Sequence, residues 1–123
     1  MADMETALKE LMQIDGAIGV ALVDYTSGAA LGVLGGSKDL DLTVAAAGNT
    51  DVVRAKMRTI EMLNMQDDIE DILITLANQY HLIRPVTGRA GRDLFLYLVL
   101  LRTRANLALA RHQLGRVEDE LEI

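Results

Sequence analysis

The sequence predicts a single α/β domain, an α+β sandwich whose elements run α-β-β-α-β-β-β-α. Three observations predict it. Residues 17–24 and 93–101 are apolar on both alternating faces, as strands covered on both sides must be. Residues 39–65 keep helical spacing over a long stretch. The elements follow one another with short breaks and no linker, repeat or low-complexity segment, so residues 1–123 read as one domain.

In chain order, residues 3–14 read as a helix. Asp3 is its candidate cap, and Met4, Leu8 and Leu11 recur on one face. Gly16 ends that element. Residues 17–24 place Ile18, Val20 and Leu22 on one face and Ala21 and Val23 on the other. Thr26-Ser27-Gly28 supplies a turn, residues 29–34 return as a second strand, and Gly35-Gly36-Ser37 breaks the chain again.

The long helix, 39–65, starts from Asp39 or Asp41 and carries more than one apolar stripe. Leu42, Ala46, Val53, Met57 and Ile60 share the first. The second, Ala45, Gly48, Val52, Ala55, Thr59 and Met62, alternates spacings of three and four, a heptad-like seam of mostly small side chains. Asp51, Arg54, Arg58 and Glu61 occupy the third face, spaced for Asp51–Arg54 and Arg58–Glu61 pairs. Lys56 sits between the two stripes, with a stem long enough to reach solvent. A surface helix needs only one apolar stripe, so this helix has one more than a monomer requires.

Residues 69–77 read as a strand with an acidic lead-in, Asp67 to Asp71, followed by a tight turn at Asn78-Gln79. Residues 80–86 form the next strand, ended by Pro85. Gly88 and Gly91 bracket a loop. The strand at 93–101 then leads to a helix capped by Thr103, with Leu107, Ala110, Leu114, Val117 and Leu121 on one stripe. Gly115 costs that helix about 1 kcal/mol relative to Ala, a cost that close approach to the first helix would explain. Glu118, Asp119, Glu120 and Glu122 oppose the helix dipole, so the tail is expected to fray. The two doubly apolar strands belong at the centre of the sheet. The terminal helices should cover one face and the long helix the other.

Composition narrows the function. A chain of 123 residues, half of them hydrophobic, can bury one core without staples. With no Cys there are no disulfides, thiolate metal sites or cysteine nucleophiles. Met1 to Glu10 carries acids where a signal peptide would be basic and then apolar, and the longest apolar run, Leu94 to Leu101, is too short to span a bilayer. The chain therefore reads as cytoplasmic, without membrane insertion. A net charge of −6 opposes binding to nucleic acid. Seven of the nine arginines lie from Arg84 onward, three of them around a loop at Arg84–Arg92 that reads as solvated.

No chemistry-bearing motif stands up. Gly32-Val33-Leu34-Gly35-Gly36-Ser37-Lys38 superficially suggests a phosphate loop. However, Ser37 stands where a Gly must precede the Lys, and Asp39 replaces the magnesium-binding hydroxyl. His81 and His112 stand alone, without a second ligand at metal spacing, and read as structural. Asp67, Asp68, Glu70 and Asp71 lack the glycine turn and spacing of a calcium loop. Ser27 and Ser37 have no base near them in sequence. No catalytic residue, cofactor or metal is expected.

The element order, with Gly16, Gly19, Asp24 and Gly28 across the first hairpin, resembles the roadblock/LC7 family from about Glu5 to Leu121. The resemblance implies a profilin-like five-stranded antiparallel sheet, one helix on one face and two on the other. It also implies a homodimer paired through the long helix and the third strand. Bacterial members of that family are commonly associated with Ras-like small GTPases, and eukaryotic relatives are dynein light chains or subunits of GTPase-regulating scaffolds.

Here the family pattern meets the extra stripe. The expected dimer interface is Ala45, Gly48, Val52, Ala55, Thr59 and Met62 of the helix with Ile72 and Leu73 of the third strand, where Ile69 and Leu76 add apolar surface. The candidate partner-docking face is Asp51, Arg54, Arg58 and Glu61. The function this implies is a non-catalytic homodimeric regulator or scaffold of a Ras-like small GTPase. The alternatives are a small-ligand-sensing module on a profilin-like scaffold, or an adaptor for a receptor or kinase complex.

Overall fold

The computed structural model describes residues 2–87 and 93–122. Helix α1 (Met4–Met12) leads into strands β1 (Ala17–Asp24) and β2 (Ala29–Gly35). Helix α2 (Leu42–Met62) is followed by β3 (Ile72–Thr75), β4 (Gln79–Pro85), β5 (Leu94–Leu101) and α3 (Leu107–Glu120). The strands form one antiparallel sheet in the order β2-β1-β5-β4-β3. β5 is central with β1 beside it, because these two strands are apolar on both faces and need cover on both.

The cover is divided as the alternation requires. Val20, Leu22, Leu96, Leu98 and Leu100 point to one side and pack with Leu8 and Leu11 of α1 and Leu114 and Val117 of α3. Ala21, Val23, Phe95, Tyr97 and Val99 point to the other and pack with Leu42, Ala46 and Val53 of α2. Consecutive residues of a strand thus feed two separate cores.

Short polar side chains start the helices. Asp3 Oδ1 accepts from the Thr6 N–H at 2.9 Å. Asp41 Oδ1 accepts from Thr43 and Val44 at 3.0 and 3.2 Å, so the long helix starts after Asp41 and not after Asp39. The expected Thr103 cap is displaced. Residues 102–104 are spent turning out of β5, with Arg104 N–H donating to Leu101 O, and Asn106 caps α3 by accepting from Leu109 N–H at 3.0 Å. Gly35 and Gly36, at φ of +76° and +84°, let β2 leave the sheet edge where a side chain would be strained.

Three further expectations change. The third strand is shorter than 69–77: Asp71 is tied to Arg111 before it begins, and Leu76 N–H closes the turn to Gln79 O after it ends. Gly115 does not meet α1; an added Cβ there would lie 3.3 Å from the Arg84 guanidinium carbon. The tail of α3 does not fray. Ala2 N–H donates to Glu120 O, Glu122 N–H donates to Ala2 O, and Leu121 is buried, so backbone pairing outweighs the unfavourable dipole. The loop expected between Gly88 and Gly91, with Arg89 and Arg92, lies outside the described residues.

Candidate functional site

Helix α2 separates its three faces as its spacing requires. The first stripe is inside: Leu42, Ala46 and Val53 are buried, and Met57 and Ile60 are half-buried. Thr50 is buried with them, its hydroxyl donating to Ala46 O at 2.8 Å. The second stripe points out. Gly48, Val52, Ala55, Thr59 and Met62 are exposed, and Ala45 is half-buried at the margin of the core. A Cβ added at Gly48 would meet nothing within 4 Å. No intramolecular packing therefore explains a glycine in mid-helix, where it costs about 1 kcal/mol relative to Ala.

Beside this stripe runs β3, an edge strand paired, among the described residues, only with β4. Ile72 is half-buried on the α2 side of the sheet and Leu73 half-buried on the opposite side, so the two interface candidates do not share a face. Any pairing along β3 would join backbones. Asp71 anchors the strand's start: its carboxylate accepts two hydrogen bonds from Arg111 of α3, each 3.0 Å. Of the acidic lead-in at residues 67–71, this acid is therefore bound within the fold. Between α2 and β3 lies a groove of about 450 Å³ bordered by Val52, Lys56, Ile69 and Ile72. A second groove, of about 430 Å³, lies under the C-terminal end of α2 and is bordered by Met57, Ile60, Met65 and Ile69 with Glu61, Asp67 and Asp68.

Asp51, Arg54, Arg58 and Glu61 are all exposed on α2. The Asp51–Arg54 and Arg58–Glu61 pairs do not form, which fits the small gain available to exposed ion pairs.

Below α2 the sheet carries polar side chains that spacing along the chain does not group together. Tyr97 O–H donates to His81 Nδ1 at 2.8 Å, and His81 Nε2 lies 2.9 Å from Gln79 Oε1. A neutral ring with its proton on Nε2 satisfies both contacts. Burial lowers the His81 pKa from its ordinary value. It raises that of Tyr97, against a smaller opposite effect from the Asn49 amide facing it. Asn49 Nδ2 is buried and has no hydrogen-bond partner among the described residues. The available signal was a polar residue three positions after Ala46 and four before Val53, on the buried stripe.

Ser27 is spent on structure. Ser27 Oγ accepts from Ala29 N–H at 3.2 Å in the first hairpin, where Asp24 Oδ1 also takes the Thr26 N–H and O–H. Ser37 and His112 are exposed. Among the described residues, no group of three or more His, Cys, Asp or Glu side chains could hold a metal ion. No described helix is long and apolar enough to cross a membrane.

No family model matches the sequence, and a search of curated proteins finds no match. Solved structures do match. Myxococcus xanthus MglB superposes with a TM-score of 0.80 at 19% identity, covering 93% of this chain and 80% of that one. A roadblock/LC7 domain from Streptomyces avermitilis gives 0.79 at 14% identity, covering 97% and 94%. The gliding protein MglB of Thermus thermophilus gives 0.67 at 20% identity, covering 93% and 87%. With its strand order, its helices divided one and two between the faces, and these neighbours, the chain has the roadblock/LC7 fold.

Proposed function

We propose that this chain is a non-catalytic, homodimeric regulator or scaffold of a Ras-like small GTPase, working in the cytoplasm by protein–protein contact without metal or cofactor. The observation that carries the dimer is the outward stripe of α2. Gly48 has open space above it, and Val52, Ala55, Thr59 and Met62 continue the same bare surface beside a strand edge that is unpaired among the described residues. A second α2 laid on this stripe would make use of the missing side chain at Gly48, because small residues let backbones approach and dispersion contacts accumulate. Edge pairing along β3 would remove an exposed strand edge that otherwise invites aggregation.

The GTPase partner rests on the association of bacterial roadblock proteins with Ras-like GTPases and on the fold shared with MglB. Dimerisation would bring two copies of the exposed Asp51, Arg54, Arg58 and Glu61 face to one side of the assembly.

Molar mass in solution, at low micromolar concentration, tests the first half. The wild type should be a dimer. Ala55→Glu should weaken it roughly 100-fold or more, because two unpaired carboxylates would be buried in the seam. A monomeric wild type overturns the homodimer. Charge reversal at Arg54 and Arg58 tests the second half. It should leave the dimer intact and weaken binding to a Ras-like GTPase from the same organism, and unchanged binding overturns the docking face.

A further inference from the structure

The groove under the C-terminal end of α2 shares Glu61 with the candidate docking face and Ile69 with the margin of the seam, but its other lining residues belong to neither. Met57, Ile60, Met65 and Ile69 line it together with Tyr25 and residues 85–87, and the exposed Glu61, Asp67 and Asp68 border it. Met57 and Ile60 lie on the sheet-facing stripe of the helix, so a helix laid on the outward stripe leaves this groove open. Met65 is 48% exposed although it is a large apolar side chain. The Asp67 carboxylate accepts only its neighbour's backbone N–H, and no ion pair reaches Glu61, Asp67 or Asp68 among the described residues.

We infer that this groove docks a basic amphipathic segment of a partner protein, one that presents apolar side chains at helical spacing with Lys or Arg flanking them. The chemistry is complementary on both counts. Apolar anchors at i, i+3 or i+4 fill an apolar lining that includes Met57 and Met65, whose unbranched, polarisable side chains adapt to different shapes. The flanking cations meet three carboxylates that no described Lys or Arg pairs with. A net charge of −6 draws such a segment in from a distance. A metal ion is a poor occupant, because the three acids do not converge on a common point. A symmetric groove-to-groove contact between two copies of this chain is also disfavoured, since it would set the same carboxylates against one another. The inference is read through Met57, Met65 and Asp67, none of which is in the GTPase docking face, so its failure and the failure of that reading are distinguishable.

The test uses the full chain with methyl-labelled methionine and, as probe, a fluorescent Leu/Lys peptide that forms an amphipathic helix. A scrambled peptide of the same composition is the control. Titration should saturate, with shifts at Met57 and Met65 and none at Met4 and Met12, which pack on the opposite side of the sheet. The scrambled peptide should bind at least about tenfold more weakly. The exposed double variant Asp67→Lys/Asp68→Lys should lose about tenfold in affinity, and Glu10→Lys on α1 should lose far less. Equal binding of both peptides, or shifts spread over both sides of the sheet, would reduce the effect to bulk charge and overturn the inference. Met57 and Met65 signals that move on dilution of the protein alone would assign the groove to a second copy and overturn it equally.

Discussion

At the scale of single residues, the most exposed to test is His81. It is half-buried between the sheet and α2, bound on one ring nitrogen by the Tyr97 hydroxyl and on the other by Gln79. Its folded pKa is lowered by burial. The unfolded chain therefore takes up the proton first as pH falls, and stability follows. The contribution is full above the ordinary His value near 6.5, declines as pH falls through it, and levels off once the folded ring is protonated as well. Between about pH 8 and about pH 5 the urea midpoint should therefore fall more for the wild type than for His81→Gln. Equal falls would mean that the carboxylates alone carry the pH dependence. The sequence showed a lone histidine and suggested a structural role, but it could not show the role of Tyr97 or Asn49. These three residues lie on three different elements, and only strand register and helix docking bring them together.

At the scale of elements, α3 is held by charge as well as by its apolar stripe. Glu118 is buried; it accepts from Arg84 Nε of β4 at 3.1 Å and from the Thr87 N–H at 3.3 Å. Gly115 leaves room for the Arg84 guanidinium to lie against the helix. Removing one member of such a pair leaves the other short of partners. Glu118→Ala should cost about 2 kcal/mol in urea unfolding, less than for a fully buried pair because Arg84 keeps some access to water. The double variant Arg84→Met/Glu118→Leu should recover most of that loss. A double variant as unstable as the single one would show that the helix needs the ions themselves. The stripe Leu107, Ala110, Leu114, Val117 and Leu121 was legible from spacing alone. Glu118 was legible only as an acid at an unfavourable helix end, because its partner lies 34 residues away in sequence.

At the scale of the whole molecule, the sheet of described strands has two edges open among the described residues, β2 and β3, around a centre made of β1 and β5. Hydrogen exchange should rank these strands. Amides of β5, paired on both sides and buried on both faces, should exchange slowest. If the proposed dimer joins β3 edges, its outward amides should be protected in the wild type and become fast in the Ala55→Glu monomer, while β5 stays unchanged. Protection at β3 that is identical in both species would rule out strand pairing and leave a dimer held by helices alone. Asp71 bears on the same edge, since its two hydrogen bonds to Arg111 anchor the start of β3 to α3.

The sequence by itself determined the element order, the central place of β1 and β5, the division of helices between the faces, and which stripe of α2 goes inward. The element order and the central strands follow from side-chain periodicity, which is local information; the resemblance to the family added which stripe of α2 faces out. The resemblance to roadblock proteins rested on the element order with Gly16, Gly19, Asp24 and Gly28 across the first hairpin, and the solved neighbours share the fold it implied. Tertiary structure decided the rest. It replaced Thr103 with Asn106 as a cap, shortened β3, tied down the acidic tail, and gave Gly115 a neighbour on β4 instead of α1. It also exposed Gly48 to open space and brought Met57, Met65 and Asp67 to one groove. The physical reason is common to all of these. Each depends on which distant groups satisfy a backbone N–H, a buried charge or an apolar surface, and periodicity along one segment carries no record of its partners across the fold.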